Sequence, residues 1–474
     1  MEELDFLPAT ELRALVAAKQ VSPVELTERA LYRAEATQST INAFACLMPE
    51  SARKAARLAE DAIMRGDAMG VLFGLPISVK DLISVAGCPW EFGSRTMAGN
   101  VATFDAPSVE RVRAQGAIII GKTTTSEFGC KAVGDSPATG LTRNPWNLSK
   151  TPGGSSAGAA ASVAAGVTSL ALGTDGGGSL RIPAALTGLV GFKAQFGRVP
   201  VWPVAATPTL AHIGALARTV ADVALLTTAV AGYDARDPFS LSGPIPDLLG
   251  AARTDVTGLR VAWSATLGYA AADPEVVAIA RAGATALADQ GAIVREHEDI
   301  LDEDPFAIWA SEFYTGVGAR LRSTLKFDRE QLDPAVATCL DDALRQDLHD
   351  YQGRVFERFA MRDRMRQSFE RFDVLLSPTL PVSSLGVGRD APDALKHRGP
   401  IGWSLYTYPF NLTGQPALSI CAGRAADGSP VGLQIVGPPL GEDLVIRAAA
   451  AIERSMPTGY DAIRPSVLAT QKQL

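Results

Sequence analysis

Two serines set among glycines stand 24 residues apart, and the chain joining them is unlike a surface segment. The first lies in Thr151-Pro152-Gly153-Gly154-Ser155-Ser156-Ala157-Gly158. The second lies in Gly173-Thr174-Asp175-Gly176-Gly177-Gly178-Ser179-Leu180-Arg181-Ile182-Pro183. Residues 151–174 carry no charge over 24 positions. Their Gly, Ser and Ala content leaves too few large apolar residues for a membrane span. A tightly packed helix between the two serine sites is the reading that remains.

Consecutive glycines let the backbone turn sharply and approach a ligand without Cβ clashes. Gly176, Gly177 and Gly178 can therefore aim several N–H groups at one point, as a tetrahedral oxyanion requires. Ser179, at the end of that loop, is placed to attack the same carbonyl. A serine stays a weak nucleophile until a base takes its proton. Upstream, Leu75-Pro76-Ile77-Ser78-Val79-Lys80-Asp81 sets a lysine in an apolar run. Burial disfavours the charged amine, which would make Lys80 a base. Asp81 opposes that only if it is close, and neighbouring side chains in a strand point to opposite faces. A lysine, a serine in a tight turn and a serine behind three glycines are the parts of a Ser–Ser–Lys hydrolase, which needs neither histidine nor metal.

Each part alone has a plainer reading. Gly–Ser clusters are usually turns or linkers, and a lysine in an apolar strand usually snorkels at an edge. A phosphate-cradling loop lacks its Gly-x-x-x-x-Gly-Lys-Ser/Thr text. The four histidines, His212, His297, His349 and His397, show no zinc-ligand spacing. His212, the one near the serines, reads as a packed or hydrogen-bonded loop residue at the cleft. No Gly-x-Ser-x-Gly elbow carries the site. Cys46, Cys88, Cys130, Cys339 and Cys421 are scattered, without a Cys-x-x-Cys pair; they read as core thiols, with Cys130 nearest the cleft.

The ordered pieces resemble the amidase signature family. The resemblance is carried by Gly-Leu-Pro-Ile-Ser-Val-Lys-Asp at 74–81, Arg-Asn-Pro-Trp-Asn at 143–147, the two serine segments and Phe-Gly-Arg-Val-Pro at 196–200. Phe-Asn-Leu-Thr-Gly-Gln-Pro-Ala-Leu-Ser at 410–419 and Gly-Leu-Gln-Ile-Val-Gly at 432–437 extend it towards the C-terminus. It implies Ser179 as acyl-forming nucleophile, Ser155 as bridging serine on a cis bond with Gly154, and Lys80 as terminal base. It also implies that Phe128 and Gly129, with segments near Trp202 and Trp403–Tyr406, wall the acyl pocket. Asp175 and Arg181 would brace the loop or pair with each other. Ala157 stands where the family often has a second glycine, and Lys193-Ala194-Gln195 where it often has Lys-Pro-Thr.

The implied activity is C–N cleavage of a small-molecule carboxamide or acylhydrazide with an aryl or apolar acyl group, and no cofactor. The text looks most like stand-alone bacterial amidases, with a hydrazidase type as one candidate and carbamates as a further substrate. Two rivals are the glutaminase-type subunit of a tRNA-dependent amidotransferase and a non-enzymatic anion-binding module. Net charge is −7, from 44 Lys and Arg against 51 Asp and Glu, without a basic block; this argues against a nucleic-acid surface. No membrane segment or signal peptide is read, the unpaired cysteines suit the cytoplasm, and a homodimer is the prior for such an enzyme.

For the fold, short apolar runs at 75–80, 117–121 and 169–173 predict buried strands separated by helices. They imply an α/β unit, a single large mixed and mostly parallel sheet flanked by helices. Ser22-Pro23-Val24-Glu25 opens a helix to about residue 35, and another fits 50–65. Strands are expected at 259–264, 291–296, 373–377, 416–421 and 431–436, and helices at 274–289 and 441–454. Residues 1–474 are read as one amidase domain. Its parts are a helical segment (1–70), the signature core (71–232), a helical insertion or cap with peripheral strands (233–372), of which 305–372 reads as a solvated cap, and a return to the sheet (373–474).

Overall fold

The structure, a computed structural model, describes residues 2–456; the end of the expected return segment, 457–474, lies outside them. In chain order the strands are β1 (Phe44–Leu47), β2 (Pro76–Lys80), β3 (Ile118–Thr123), β4 (Asp135–Ser136), β5 (Gly140–Leu141), β6 (Leu170–Asp175) and β7 (Val190–Lys193). There follow β8 (His212–Ala217), β9 (Arg260–Trp263), β10 (Ile293–Glu296), β11 (Val374–Pro378), β12 (Ala417–Arg424) and β13 (Pro430–Val436). β4 and β5 form a small ribbon, and the other strands form one 11-stranded sheet in the order β1-β3-β2-β6-β8-β7-β12-β13-β11-β9-β10.

The large mixed sheet flanked by helices is as expected, but strand direction is not. Four pairings are parallel (β2 with β3 and β6, β9 with β10 and β11). The other six are antiparallel. Continuous apolar runs report burial on both faces, and helices on both sides impose that burial whichever way a strand points. β1, β7 and β8 do not follow from apolar runs in the sequence, because β1 and β7 have only four residues each and β8, His-Ile-Gly-Ala-Leu-Ala, has few large apolar side chains.

Alternation along β2 decides what faces the site. Ile77 and Val79 join the core beneath the helices Pro107–Ala114, Val220–Val230 and Glu442–Ser455. Ser78 and Lys80 point to the other face, where the Ser78 hydroxyl lies 3.2 Å from that of Ser162 in the helix Ala157–Ala164. That helix is buried at every position, as its small side chains allow. β2 and β6 are parallel neighbours, so Lys80 and Asp175 end at the same sheet margin. The helix Ala157–Ala164 begins beside them and returns the chain to the start of β6. A crevice at the carboxyl ends of parallel strands is a favoured ligand position in such sheets.

The segment expected to be a solvated cap is only partly so. Its helices Phe306–Arg320, Pro334–Leu344 and Leu348–Ser368 are present, but Trp309, Phe313 and Tyr314 are buried against the sheet-side core. Among the described residues no helix is long and apolar enough to cross a membrane.

Candidate active site

Lys80 is fully buried and ends β2 among hydroxyls. Its Nζ lies 2.7 Å from Ser155 Oγ, 3.0 Å from Ser156 Oγ and 2.8 Å from Thr174 Oγ1. Burial pushes the Lys80 amine well below its ordinary value; the Asp175 carboxylate opposes this and is outweighed. Asp81, the nearest acid in sequence, does not interfere. It lies across the strand and pairs with Lys122 at 3.0 Å. Ser156 Oγ donates to the Thr174 carbonyl at 3.0 Å. A neutral Lys80 can therefore donate its two N–H groups to Ser156 and Thr174 and accept the Ser155 proton on its lone pair. Ser155 follows Gly154 through a cis peptide bond. Ser179 is the most exposed of the trio, 7% against 1% for Ser155 and 0% for Lys80.

The glycine loop is held from behind by a buried ion pair. Asp175 and Arg181 are both completely buried, 2.9 Å apart. Burial alone would raise the Asp175 carboxyl, but Arg181, with Lys193 and Asn411, holds it well below the ordinary carboxylate value. All five guanidinium N–H groups of Arg181 find acceptors: Asp175 through Nε (3.0 Å) and Nη2 (2.9 Å), Asn411 Oδ1 (2.7 Å), the Thr407 carbonyl (2.8 Å) and Gln434 Oε1 (2.8 Å). The Asp175 carboxylate in turn accepts from Gly178 N–H at 2.7 Å and Leu180 N–H at 3.2 Å. Thr407 Oγ1 donates to the Gly177 carbonyl (2.6 Å) and Trp309 Nε1 to that of Gly176 (2.8 Å).

One expectation is corrected by this arrangement. Gly178 does not offer its N–H to a ligand, because Asp175 already accepts it. Among the described residues no acceptor engages the N–H groups of Gly176, Gly177 or Ser179. Gly178 is needed for shape instead: its φ is +129°, and a Cβ there would lie 2.3 Å from Thr407 Oγ1.

The wall residues divide. Gly129 lies beside Ser155, and a Cβ added to it would stand 3.3 Å from Ser155 Oγ. Phe128 is partly exposed beside it and has the left-handed φ of +50°. Trp202 is also partly exposed, whereas Trp403 and Tyr406 are fully buried core. Cys130 is fully buried. His212 is packed behind Asp175, with Nδ1 2.8 Å from the Leu210 carbonyl and 3.2 Å from that of Asp175.

Sequence reading missed Ser156 and Thr174 as partners of Lys80, and Thr407, Asn411, Gln434 and Trp309 as supports of the loop. The available signal was a polar side chain within apolar text, as in Phe410-Asn411-Leu412 and Leu433-Gln434-Ile435. Such residues are buried only when they are hydrogen-bonded.

Residues 25–446 match the family described as Amidase. The chain is 37% identical over 472 residues to an acylamidase of Rhodococcus erythropolis, covering 98% of this chain and 97% of the relative. It is 36% identical to a glutamyl-tRNA(Gln) amidotransferase subunit of Acidothermus cellulolyticus, covering 96% and 95%. The crystal structure of a bacterial aryl acylamidase of the amidase signature family superposes with a TM-score of 0.90 at 29% identity, covering 96% of this chain and 97% of that one. The lysine and two serines gathered at the ends of β2 and β6 are thus carried by a chain that belongs to the amidase family and hydrolyses C–N bonds.

Proposed function

We propose that the chain hydrolyses carboxamides with aryl or apolar acyl groups through an acyl-enzyme on Ser179. Acylhydrazides and carbamates are related substrates. Neutral Lys80 takes the Ser155 proton as Ser155 takes that of Ser179. Ser179 Oγ attacks the carbonyl carbon, and the free N–H groups of the glycine loop receive the oxyanion. The C–N bond then breaks, Ser155 Oγ–H protonates the departing nitrogen, and Ser155 regains its proton from Lys80. Water repeats the sequence on the ester, releasing the acid and restoring Ser179. The observation that carries this reading is the buried Lys80 amine 2.7 Å from Ser155 Oγ. Cleavage of carboxamides is supported by the acylamidase relative and the aryl acylamidase structure. The five cysteines are free thiols, which supports a reducing compartment such as the cytoplasm.

The test is turnover of aryl amides, anilides, acylhydrazides and carbamates, with and without chelator, by the wild type and Ser179→Ala. Removal of the nucleophile is expected to cost roughly 10³-fold or more in kcat; near-normal turnover would refute the reading. The amidotransferase relative favours a second reading, glutamine hydrolysis dependent on a partner. It is tested by including glutamine, with and without the partner proteins.

A further inference from the structure

The free N–H groups of the glycine loop, those of Gly176, Gly177 and Ser179, each belong to a peptide whose carbonyl is held at the other end. A trans peptide is planar, so its C=O and N–H point in opposite directions, and fixing one aims the other. The Gly176 N–H shares its plane with the Asp175 carbonyl, which accepts from Asn411 Nδ2 at 3.0 Å and has His212 Nδ1 at 3.2 Å. The Ser179 N–H shares its plane with the Gly178 carbonyl, which accepts from Ile182 N–H at 2.7 Å. The Gly177 N–H shares its plane with the Gly176 carbonyl. Among the described residues one donor reaches that carbonyl, Trp309 Nε1 at 2.8 Å.

Trp309 is held as a fixed donor. It is fully buried. Its ring stacks on Phe313 with centroids 4.5 Å apart, and Phe306, Tyr314 and Tyr408 lie around it at 5.9, 5.5 and 6.0 Å. An indole packed on this many sides keeps one rotamer, because any other would drive it into its neighbours. The loop lies directly against these rings. A Cβ on Gly177 would stand 2.7 Å from Trp309 Cζ2, and one on Gly176 would stand 2.9 Å from Phe313 Cε2.

We infer that Trp309 is a positioning residue for oxyanion stabilisation: by holding the Gly176 carbonyl, its indole N–H turns the Gly177 N–H away from the cap and fixes it as an oxyanion donor. The inference rests on the acyl-enzyme reading above. It gives the helix Phe306–Arg320 a part in the rate without contact with the substrate. The dependence falls on Trp309 alone because the other two free N–H groups are aimed by Asn411 with His212 and by the backbone of Ile182. A donor aimed before the reaction costs no reorganisation when charge develops, which is why a bond made behind the loop acts on the transition state and not on the bound amide.

The test replaces Trp309 by phenylalanine, which keeps an aromatic ring on Phe313 without the N–H, and by 3-benzothienylalanine, which keeps the shape of the indole. Both should lower anilide kcat about 10- to 10²-fold with KM unchanged, less than the loss of a whole oxyanion donor. A trifluoromethyl ketone, which forms a tetrahedral adduct with a serine hydroxyl, should lose affinity by the same factor. Trp263→Phe makes the same change at a buried indole in the other core, where Nε1 has no partner; it reports the effect of lost packing and should leave kcat within about twofold. Crystal structures of the wild type and Trp309→Phe should show the Gly176–Gly177 peptide turned. Wild-type kcat in both Trp309 variants, a loss taken up in KM, a loss matched by Trp263→Phe, or an unturned peptide would overturn the inference. Ser179→Ala separates the two layers. If it is inactive while the Trp309 variants turn over like the wild type, only the positioning role falls. If it turns over normally, the acyl-enzyme reading falls, and the role of Trp309 is judged by the two crystal structures, where a turned peptide upholds it and an unturned one rejects it.

Discussion

Replacing Asp175 by asparagine tests the frame of the site without opening a cavity. Asp175 Oδ1 accepts from Gly178 N–H, Arg181 Nη2 and Asn411 Nδ2, while Oδ2 accepts from Leu180 N–H and Arg181 Nε. An amide set in the less crowded way keeps its oxygen at Oδ1 and puts NH₂ at Oδ2, facing two donors. It also leaves the fully buried Arg181 charge without a counter-charge. Removing one partner of a buried pair costs about 3–5 kcal/mol, a large share of a total stability of roughly 5–15 kcal/mol. The Leu180 N–H at Oδ2 loses its acceptor as well, so the loop loses part of the frame that aims its N–H groups, and kcat should fall about 10²–10³-fold. Urea unfolding reports the first effect, and anilide turnover under conditions where the variant is folded reports the second. The double variant Asp175→Asn/Arg181→Met removes the stranded charge. It should recover at least about 1 kcal/mol relative to the sum of the single changes, without recovering activity. A single change costing under about 1 kcal/mol with activity intact, or strict additivity in the double variant, would refute this account.

Three further outcomes are expected. The rate should rise with pH through a Lys80 ionisation displaced well below the ordinary lysine range and then level off; a rising limb near the ordinary lysine value would count against Lys80 as the base. The folded state holds fewer protons than the unfolded chain between that lowered value and the ordinary one, so this group makes stability increase with pH across that interval. Thr174→Val removes an acceptor that favours the charged amine at 2.8 Å, so the rising limb should move to lower pH, and an unmoved limb would deny Thr174 that role. Gly178→Ala puts a Cβ 2.3 Å from Thr407 Oγ1 at a φ of +129°, and should lower kcat about 10²-fold with KM little changed; wild-type kcat would show that the loop tolerates the shift.

Much of the site was legible because its chemistry is local in the chain. Three glycines before Ser179, a tight turn at Ser155 and a lysine ending an apolar run each state a backbone or solvation requirement within a few residues. The strands near 76–80, 118–123 and 170–175 were legible for a similar reason: continuous apolar runs mark burial on both faces. Direction and neighbours were not, since burial says nothing of which strand lies alongside; β7 has only four residues, and β8 mixes a His, a Gly and two Ala with its large apolar side chains.

By itself, then, the sequence singled out Lys80, Ser155 and Ser179 as the candidate reacting groups. Only the tertiary structure decided how those groups are held. Arg181 meets Thr407, Asn411 and Gln434, more than 200 residues further along. The Gly176 carbonyl meets Trp309 from a helix expected to be solvated. Gly178 N–H is directed inwards to Asp175 rather than to a substrate. A buried polar group must find a partner, but the chain states only the need; the partner is whichever distant segment the sheet order carries to its side.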